Sequence, residues 1–518
     1  MARISGFPLI CHGFSSLNRI KGHRNERTVS LHIKSEQSQL VESGNEMLFA
    51  RALTWSMGAE AAVKVIQPLV FLVLAGILSP EDFGVVASAM VIIAFCEVFW
   101  QAGLGKALIQ TQQDPIAAAN VVFWTNLALA AAVSVALIVS ADFLAKELFR
   151  DQRVTAVVQV MTISVLLGAL SSVHTALYQK RMDFRGLFWI RILSALTGPV
   201  VSIPLALLGY DYWALIIGTL IGQLVQVSAL WFSSSFFPTL EYDLRIAKKL
   251  TGFGSWVLAS GLLSWFYSWS DALIIGMYLS GHELGLYRTG STLVYMLYGA
   301  LFMPVLPVLY SQLAKSHAQE ASLGRVFGCS FRLVTFVAVP ISFWLFSASE
   351  IAEEILFGKS WAGIGQVIGM ISLMVGFSTI VSINGEAYRA MGKPHLETMV
   401  TGSLLLVYLA GYLVSVKFGL TAFLYARLGL ALGALAAHVA VAQAIGIIDV
   451  RAWLLPFFAA VLSGLLSLLT FFLLRNFFSL DREFELLLLA PAILIGASFL
   501  IASSGRVIRD VLRVVLRA

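Results

Sequence analysis

The sequence predicts an all-α integral membrane protein with about fourteen transmembrane helices. Of its 518 residues, 58% are hydrophobic and only 12% are charged, and its mean hydropathy is +0.85. A soluble protein usually carries about 25% charged residues. The apolar residues also come in continuous blocks of about 20, the length that crosses a bilayer as a helix.

Each predicted helix is an apolar block that ends at a short polar, glycine or proline break. In chain order the blocks cover residues 53–77, 82–105, 115–141, 154–178, 186–208, 211–235, 251–279, 283–310, 326–349, 363–388, 397–417, 419–446, 452–475 and 484–504. The connections are short, and the GxxxxGK[ST] motif of a nucleotide-binding loop is absent from the sequence. The three cysteines are dispersed, which argues against a metal cluster or a disulfide framework. We therefore predict no cofactor and no metal.

Lysine and arginine residues are distributed unequally between the two sides of this map. Loops on the side of the N-terminus hold 23 of them, and loops on the opposite side hold 8. Because cytoplasmic loops collect Lys and Arg, both termini are predicted in the cytoplasm. The net charge of +6 then reflects orientation in a membrane rather than nucleic-acid binding. Residues 1–46 are predicted as a polar, disordered cytoplasmic arm, with a non-native extension before Met47 as the alternative.

A short segment recurs at an offset of 201 residues. Leu78–Val85 (LSPEDFGV) aligns with Leu279–Leu286 (LSGHELGL), and each segment joins two antiparallel predicted spans. Ser can cap a helix at such a turn, and Gly tolerates a positive φ. Chance similarity is the alternative to a repeat of two six-helix lobes that run in the same direction. The predicted units are an N-lobe at 47–236, a linker at 237–250, a C-lobe at 251–450, a helix pair at 451–505 and a basic cytoplasmic tail at 506–518.

Several segments in a consistent order resemble a known family. They are LSPEDFG at 78–84, ALYQKRMDF at 176–184, GYDYWAL at 209–215, SDALIIG at 270–276 and LGLY at 284–287. Together they are similar to the polysaccharide-transporter branch of the multidrug/oligosaccharidyl-lipid/polysaccharide (MOP) flippase superfamily, which includes Wzx-like O-antigen and exopolysaccharide repeat-unit flippases. The resemblance extends over about residues 48–450.

The resemblance implies two six-helix lobes around a central cavity that opens alternately to the two sides. The implied substrate is an undecaprenyl-pyrophosphate-linked oligosaccharide, carried across the bacterial inner membrane for exopolysaccharide or lipopolysaccharide synthesis. The implied partners are this lipid-linked substrate, membrane lipids and other membrane proteins of polysaccharide assembly. Two additional C-terminal spans are common in this branch, and the predicted pair at 452–504 agrees with it.

Ionisable residues inside predicted spans are the candidate site, because such groups usually face a cavity or each other. Helix 1 carries Glu60, Lys64 and Gln67 on one face. Lys64 would meet the pyrophosphate, and Glu60 would set the charge state of Lys64. A Glu60–Lys64 pair that serves only packing is the alternative.

Predicted helix 7 carries a comparable polar stripe. Ser264 and Ser268 would offer hydroxyls to sugars, although hydroxyls also bond across helices as packing contacts. Asp271 is expected to have a capping or structural role rather than one in proton coupling.

The other candidates are distributed over predicted helices 2, 5, 8 and 9. They are Glu97, Gln101, Arg191, Arg288 and Arg332. Arginine suits phosphate because its fork donates two parallel hydrogen bonds. For Arg191 and Arg332 the alternative is a side chain that reaches the cytoplasmic interface, and for Arg288 it is a pair with nearby Glu283.

Two other classes of function remain open. A cation-coupled drug or metabolite antiporter of the same superfamily would have twelve spans, with 452–504 outside the membrane. A membrane polymerase or ligase would need a large outer loop, whereas the longest predicted one, 141–153, is short and holds no paired catalytic carboxylates. The sequence therefore predicts a transporter and not an enzyme.

Overall fold

The computed structural model describes residues 66–101, 104–110, 114–302, 323–478 and 485–517, with a few single positions beside these ranges. The described residues form helices joined by short turns, and no strand occurs among them. In chain order the helices are α1 Ile66–Ile77, α2 Pro80–Gln101, α3 Leu104–Gln110, α4 Pro115–Phe143, α5 Arg153–Lys180, α6 Phe184–Leu207, α7 Tyr212–Ser233, α8 Leu244–Tyr278, α9 Gly281–Phe302, α10 Leu323–Ala352, α11 Ile364–Ala390, α12 Pro394–Ser415, α13 Leu420–Ala444, α14 Val450–Phe478 and α15 Leu489–Arg517. The all-helical prediction is confirmed.

Ten helices of the described chain are long and apolar enough to cross a membrane, and two shorter apolar ones cover Ile66–Ile77 and Leu489–Gly505. The protein is therefore a multi-pass membrane protein. Helix α8 does not meet the same criterion, although it was predicted as a span, because serine, tyrosine, tryptophan and charged residues lower its hydropathy. Most of the predicted span 283–310 beyond Phe302 lies outside the described residues. A count of fourteen spans stays a prediction.

Aspartates fix several helix starts. Asp243 accepts hydrogen bonds from the backbone N–H groups of Arg245 and Ile246, which begins α8 at Leu244. This start lies inside the segment predicted as a linker at 237–250. The local N-cap chemistry thus extends the helix beyond its apolar block, because a capped first turn tolerates polar residues.

The two turns of the 201-residue repeat have the same capping geometry. Ser79 and Asp82 bond each other reciprocally, with Ser79 Oγ donating to Asp82 at 2.6 Å. Ser280 and Glu283 do the same, with Ser280 Oγ donating to Glu283 at 2.9 Å. Both pairs are capping boxes, which satisfy backbone donors at the start of a helix.

Helices α2 and α9, which follow these turns, pack against each other at closely approaching backbones. A Cβ on Gly84 would overlap the carbonyl of Gly281, and a Cβ on Gly285 would overlap the carbonyl of Pro80. At the offset of 201, Pro80 corresponds to Gly281 and Gly84 to Gly285. The contact is therefore reciprocal, as at a two-fold interface.

The C-terminal helices pack on the second half of the chain. Helices α14 and α15 contact each other and α10. Ser463 donates a hydrogen bond to the carbonyl of Gly496 at 2.8 Å, and Trp344 of α10 donates to Ser467 at 3.2 Å. Small and hydroxyl residues allow this close approach between membrane helices.

Candidate functional site

Two cavities of the described chain lie between helices and have linings rich in polar side chains. The first cavity has a volume of about 470 Å³ and is bordered by α2, α3, α5, α6 and α7. Its polar lining residues are Glu97, Lys106, Ser171, Ser172, Thr175, Gln179, Arg191, Gln223 and Gln226. Amides and hydroxyls therefore surround two cations and one carboxylate.

The second cavity has a volume of about 610 Å³ and is bordered mainly by α8, α9, α11, α12 and α13. Its aromatic lining residues are Tyr267, Trp269, Tyr295, Tyr298, Phe302, Tyr408 and Tyr412. Its other polar lining residues are Ser268, Ser270, Arg288, Ser378, Thr379, Ser382 and Arg427. Rings with polar tips and hydroxyls thus surround two arginines.

Corresponding parts of the repeat contribute to both cavities. At the offset of 201, Glu97 and Gly105 of the first cavity correspond to Tyr298 and Leu306 of the second. Helix α5 lines the first cavity with residues 167, 168, 171, 172, 175, 176 and 179, and α11 lines the second with 374, 375, 378, 379 and 382, a similar spacing that is displaced by two residues from the offset of 201. This shared spacing places the lining residues of each helix on one face.

Arg288 projects from α9 into the second cavity. Its guanidinium carbon lies 4.2 Å from the centre of the Trp269 ring, a cation–π contact. Within the described chain no carboxylate lies within 4.0 Å of it. Glu283, its expected alternative partner, caps the turn before α9 with Ser280 instead.

Arg427 of α13 is held in a buried polar network. One of its terminal nitrogens lies 2.5 Å from Asp271 of α8, and both side chains are less than a tenth exposed. The other donates to the Tyr295 hydroxyl at 2.9 Å, and the Tyr287 hydroxyl donates to Asp271 at 2.6 Å. The guanidinium also lies 5.3 Å from the centre of the Tyr287 ring and 5.9 Å from that of Tyr412.

The structure brings some of the predicted residues to these cavities. Glu97 and Arg191 line the first cavity, and Ser268 and Arg288 line the second. Asp271 lies directly behind the second cavity as the ion-pair partner of Arg427.

Other predicted residues lie away from the cavity linings. Gln67 is exposed, Ser264 donates to the backbone carbonyl of Ser260, and Arg332 donates to that of Gly328. Glu60, Lys64 and the side chain of Gln101 lie outside the described residues.

Arg427 and the tyrosines of the second cavity were not among the predicted site residues. Arg427 stands eight residues inside the predicted span 419–446, and an arginine at such depth is a signal in itself. The tyrosines lie on three helices, so no local pattern in the sequence connects them. Tyr267 is on α8. Tyr295 and Tyr298 are on α9, whereas Tyr408 and Tyr412 are on α12.

A third cavity, of about 470 Å³, lies between α2, α4 and α8. Phe95, Phe99, Trp265 and Phe266 contribute to an almost entirely apolar lining. It offers a glycan no set of hydrogen-bond partners, unlike the first and second cavities, which are our candidates for substrate contact.

Comparisons with known proteins agree with a membrane carrier. A model of the polysaccharide biosynthesis protein family matches residues 73–366. The succinoglycan biosynthesis transport protein ExoT of Rhizobium meliloti (strain 1021) is 27% identical over 350 residues, which are 67% of this chain and 70% of that protein. The teichuronic acid biosynthesis protein TuaB of Bacillus subtilis (strain 168) is 21% identical over 371 residues, 70% of this chain and 76% of that one.

A solved structure of the lipid II flippase MurJ, in an inward closed conformation, aligns with a TM-score of 0.73. The alignment covers 89% of this chain and 100% of that one at 13% identity. This likeness shows a shared fold.

Proposed function

The chain belongs to the polysaccharide biosynthesis protein family, and on that basis we propose that it moves undecaprenyl-pyrophosphate-linked oligosaccharide repeat units across the bacterial inner membrane. The relatives described above are named for the synthesis of succinoglycan and teichuronic acid, and one is named a transport protein. Each repeat unit would pass from the cytoplasmic to the periplasmic leaflet during exopolysaccharide or lipopolysaccharide synthesis. Membrane lipids and other assembly proteins of the membrane are its expected neighbours.

The second cavity is the observation that carries this proposal. A lipid-linked pyrophosphate carries about two negative charges, and an unpaired anion is costly to remove from water. Arg288 offers a cation with no carboxylate within 4.0 Å in the described chain, and Arg427 lies in the same cavity. The tyrosine rings with their hydroxyls offer both apolar faces and hydrogen bonds, which a sugar also presents.

We infer further that two six-helix lobes enclose these cavities, with α14 and α15 as an additional helix pair and both termini in the cytoplasm. The reciprocal contact between α2 and α9 supports related lobes, as do the corresponding lining positions of the two cavities. Transport would proceed by alternating access, in which the lobes rock about the substrate site. The contact at Gly84 and Gly285 would close the outer side.

Deletion and complementation test the function. Deletion of the gene should abolish the surface polysaccharide and accumulate the undecaprenyl-linked repeat unit in the membrane, as measured by mass spectrometry of lipid extracts. The wild-type gene should restore both. If surface polysaccharide persists and no lipid-linked intermediate accumulates, the proposed function is wrong.

A cation-coupled drug antiporter is less compatible with this site. In the second cavity a cationic drug would need a carboxylate, but none is among its lining residues, and Asp271 behind it is already paired with Arg427 at 2.5 Å. Arg288 would also repel such a drug. Resistance assays of the deletion strain against cationic dyes should therefore show no change.

A further inference from the structure

The ion pair between Asp271 and Arg427 stands at the wall of the second cavity rather than in a sealed core. Arg427 lines the cavity, whereas Asp271 lies behind it. We propose that Asp271 is an internal competitor that occupies Arg427 in the empty protein, and that the diphosphate of the substrate displaces it. This inference rests on the proposed function, because it assigns a diphosphate subsite between Arg427 and Arg288.

The empty protein needs such a counter-ion. A buried arginine without a partner carries a large desolvation cost, so the cavity would be unstable with two uncompensated cations. Asp271 neutralises Arg427, which leaves the charge of Arg288 alone to attract an anion. Arg288 can thus still attract an anion into the cavity, while the more buried Arg427 remains paired with Asp271.

Exchange of partners leaves Asp271 supported. Its Oδ1 accepts the backbone N–H of Ala272 at 2.6 Å, and its Oδ2 accepts the Tyr287 hydroxyl at 2.6 Å. Neither donor depends on Arg427, so both remain when a diphosphate takes the place of Asp271 at the guanidinium. Hydrogen bonds of this kind stabilise an ionised carboxylate.

Arg427 is also supported during the exchange. It keeps the Tyr295 hydroxyl at 2.9 Å and the faces of Tyr287 and Tyr412. Its Nε has no hydrogen-bond partner within the described chain, although the side chain is less than a tenth exposed. Displacement of Asp271 frees the Nη1 donors for a diphosphate oxygen, and Nε is a further donor on the same guanidinium.

Competition has a consequence for substrate class. An incoming group must bind Arg427 more strongly than the carboxylate of Asp271, which is already in contact with it. A diphosphate carries more negative charge than a single carboxylate or phosphodiester. The pair therefore selects lipid-linked diphosphates against ordinary phospholipids. It also favours release, because Asp271 returns to Arg427 as the diphosphate leaves.

Binding of a soluble polyprenyl diphosphate tests the exchange. Purified full-length protein in detergent is titrated with radiolabelled farnesyl diphosphate, and farnesyl monophosphate serves as the comparison ligand. In Asp271→Asn the competitor loses its charge, so binding of the diphosphate should tighten by about tenfold, the size of an ordinary coupling between sites. Arg427→Gln should lose binding, and the double variant should behave like Arg427→Gln. A purely structural ion pair predicts unchanged or weaker binding in Asp271→Asn, which would overturn the proposal.

A second variant covers the case in which Asp271→Asn does not fold. Tyr287→Phe keeps every charge but removes one of the donors that support the displaced carboxylate. We expect diphosphate binding to weaken by about fivefold. Unchanged affinity in a folded Tyr287→Phe protein would contradict the exchange.

The result separates this inference from the proposed function. If the wild-type gene restores polysaccharide export while the purified protein fails to bind farnesyl diphosphate, the exchange is wrong and the function stands. If the variants shift binding as expected but the gene fails to restore export, the subsite stands and the proposed function is wrong.

Discussion

Arg288 and Arg427 share one cavity but differ in how their charges are balanced. Arg427 has a carboxylate at 2.5 Å, whereas Arg288 has the face of Trp269 at 4.2 Å. A cation over an aromatic ring is stabilised by roughly 0.5–2 kcal/mol and keeps its full charge. Arg288 is therefore available to an anion without displacement of a carboxylate.

Arg288→Gln should reduce export strongly. Loss of a charge-assisted hydrogen bond weakens diphosphate binding by about 2 kcal/mol, or roughly thirtyfold. Arg288→Lys keeps the charge but loses the fork and should retain part of the activity. Export is measured by complementation of the deletion strain at matched protein levels. Arg332→Gln is the control, because Arg332 lies outside the lining of both cavities. Equal export by the Arg288→Gln and wild-type proteins would remove Arg288 from the site.

Trp269 should act through Arg288. Trp269→Leu removes the ring that positions the guanidinium but leaves the charge in place. We expect diphosphate affinity to fall by a factor of about five, less than in Arg288→Gln. Combining the two substitutions should add little, because both act on one contact. Fully additive effects in a double-mutant cycle would show that Trp269 has a separate role.

The sequence predicted some of the residues that line the cavities, but it did not predict which side chains contact each other there. An arginine or glutamate inside an apolar block is visible in the sequence, and Glu97, Arg191, Ser268 and Arg288 do line cavities. The pairing of Asp271 with Arg427 joins residues 156 positions apart in the sequence. The contact forms only when α8 and α13 come together in the folded protein, so no local sequence pattern predicts it.

At the scale of elements, apolar length predicted most helices within a few residues. The exception is α8, which is not among the helices long and apolar enough to cross a membrane and which contributes Tyr267 and Trp269 to the wall of the second cavity.

The α2–α9 contact depends on the absence of two side chains. In Gly285→Ala, the added methyl group would overlap the backbone of Pro80, which cannot move without separating the helices. We expect a loss of about 1–3 kcal/mol of stability and a lower melting temperature in detergent. Gly433→Ala on α13 is the matched control, because nothing lies within 4 Å of its added methyl group. A melting temperature equal to that of wild type in Gly285→Ala would show that the contact yields easily.

At the scale of the whole molecule, the segments that correspond at the offset of 201 meet through polar as well as backbone contacts. Glu81 of α2 and His282 of α9 are equivalent positions at the offset of 201, and His282 Nδ1 lies 2.6 Å from the Glu81 carboxylate. The Trp361 indole also donates to the carbonyl of Ala75 at 2.8 Å, which joins α1 to the second half. All of these contacts lie at the predicted outer side, and the alternating access that we propose would require them to separate in each cycle.

Locking this contact should stop transport. We expect Glu81→Cys combined with His282→Cys to form a cross-link with a short bifunctional thiol reagent, because the native side chains touch. Cys96 and Cys329 are buried, and Cys11 is replaced by serine so that the introduced pair is the reactive one. Cross-linked cells should accumulate the lipid-linked repeat unit, and a cleavable disulfide-containing reagent should allow export to resume on reduction. Each single-cysteine variant, treated identically, is the control for the reagent. Continued export with complete cross-linking would mean that α2 and α9 stay together throughout the cycle, and that the substrate crosses by another route.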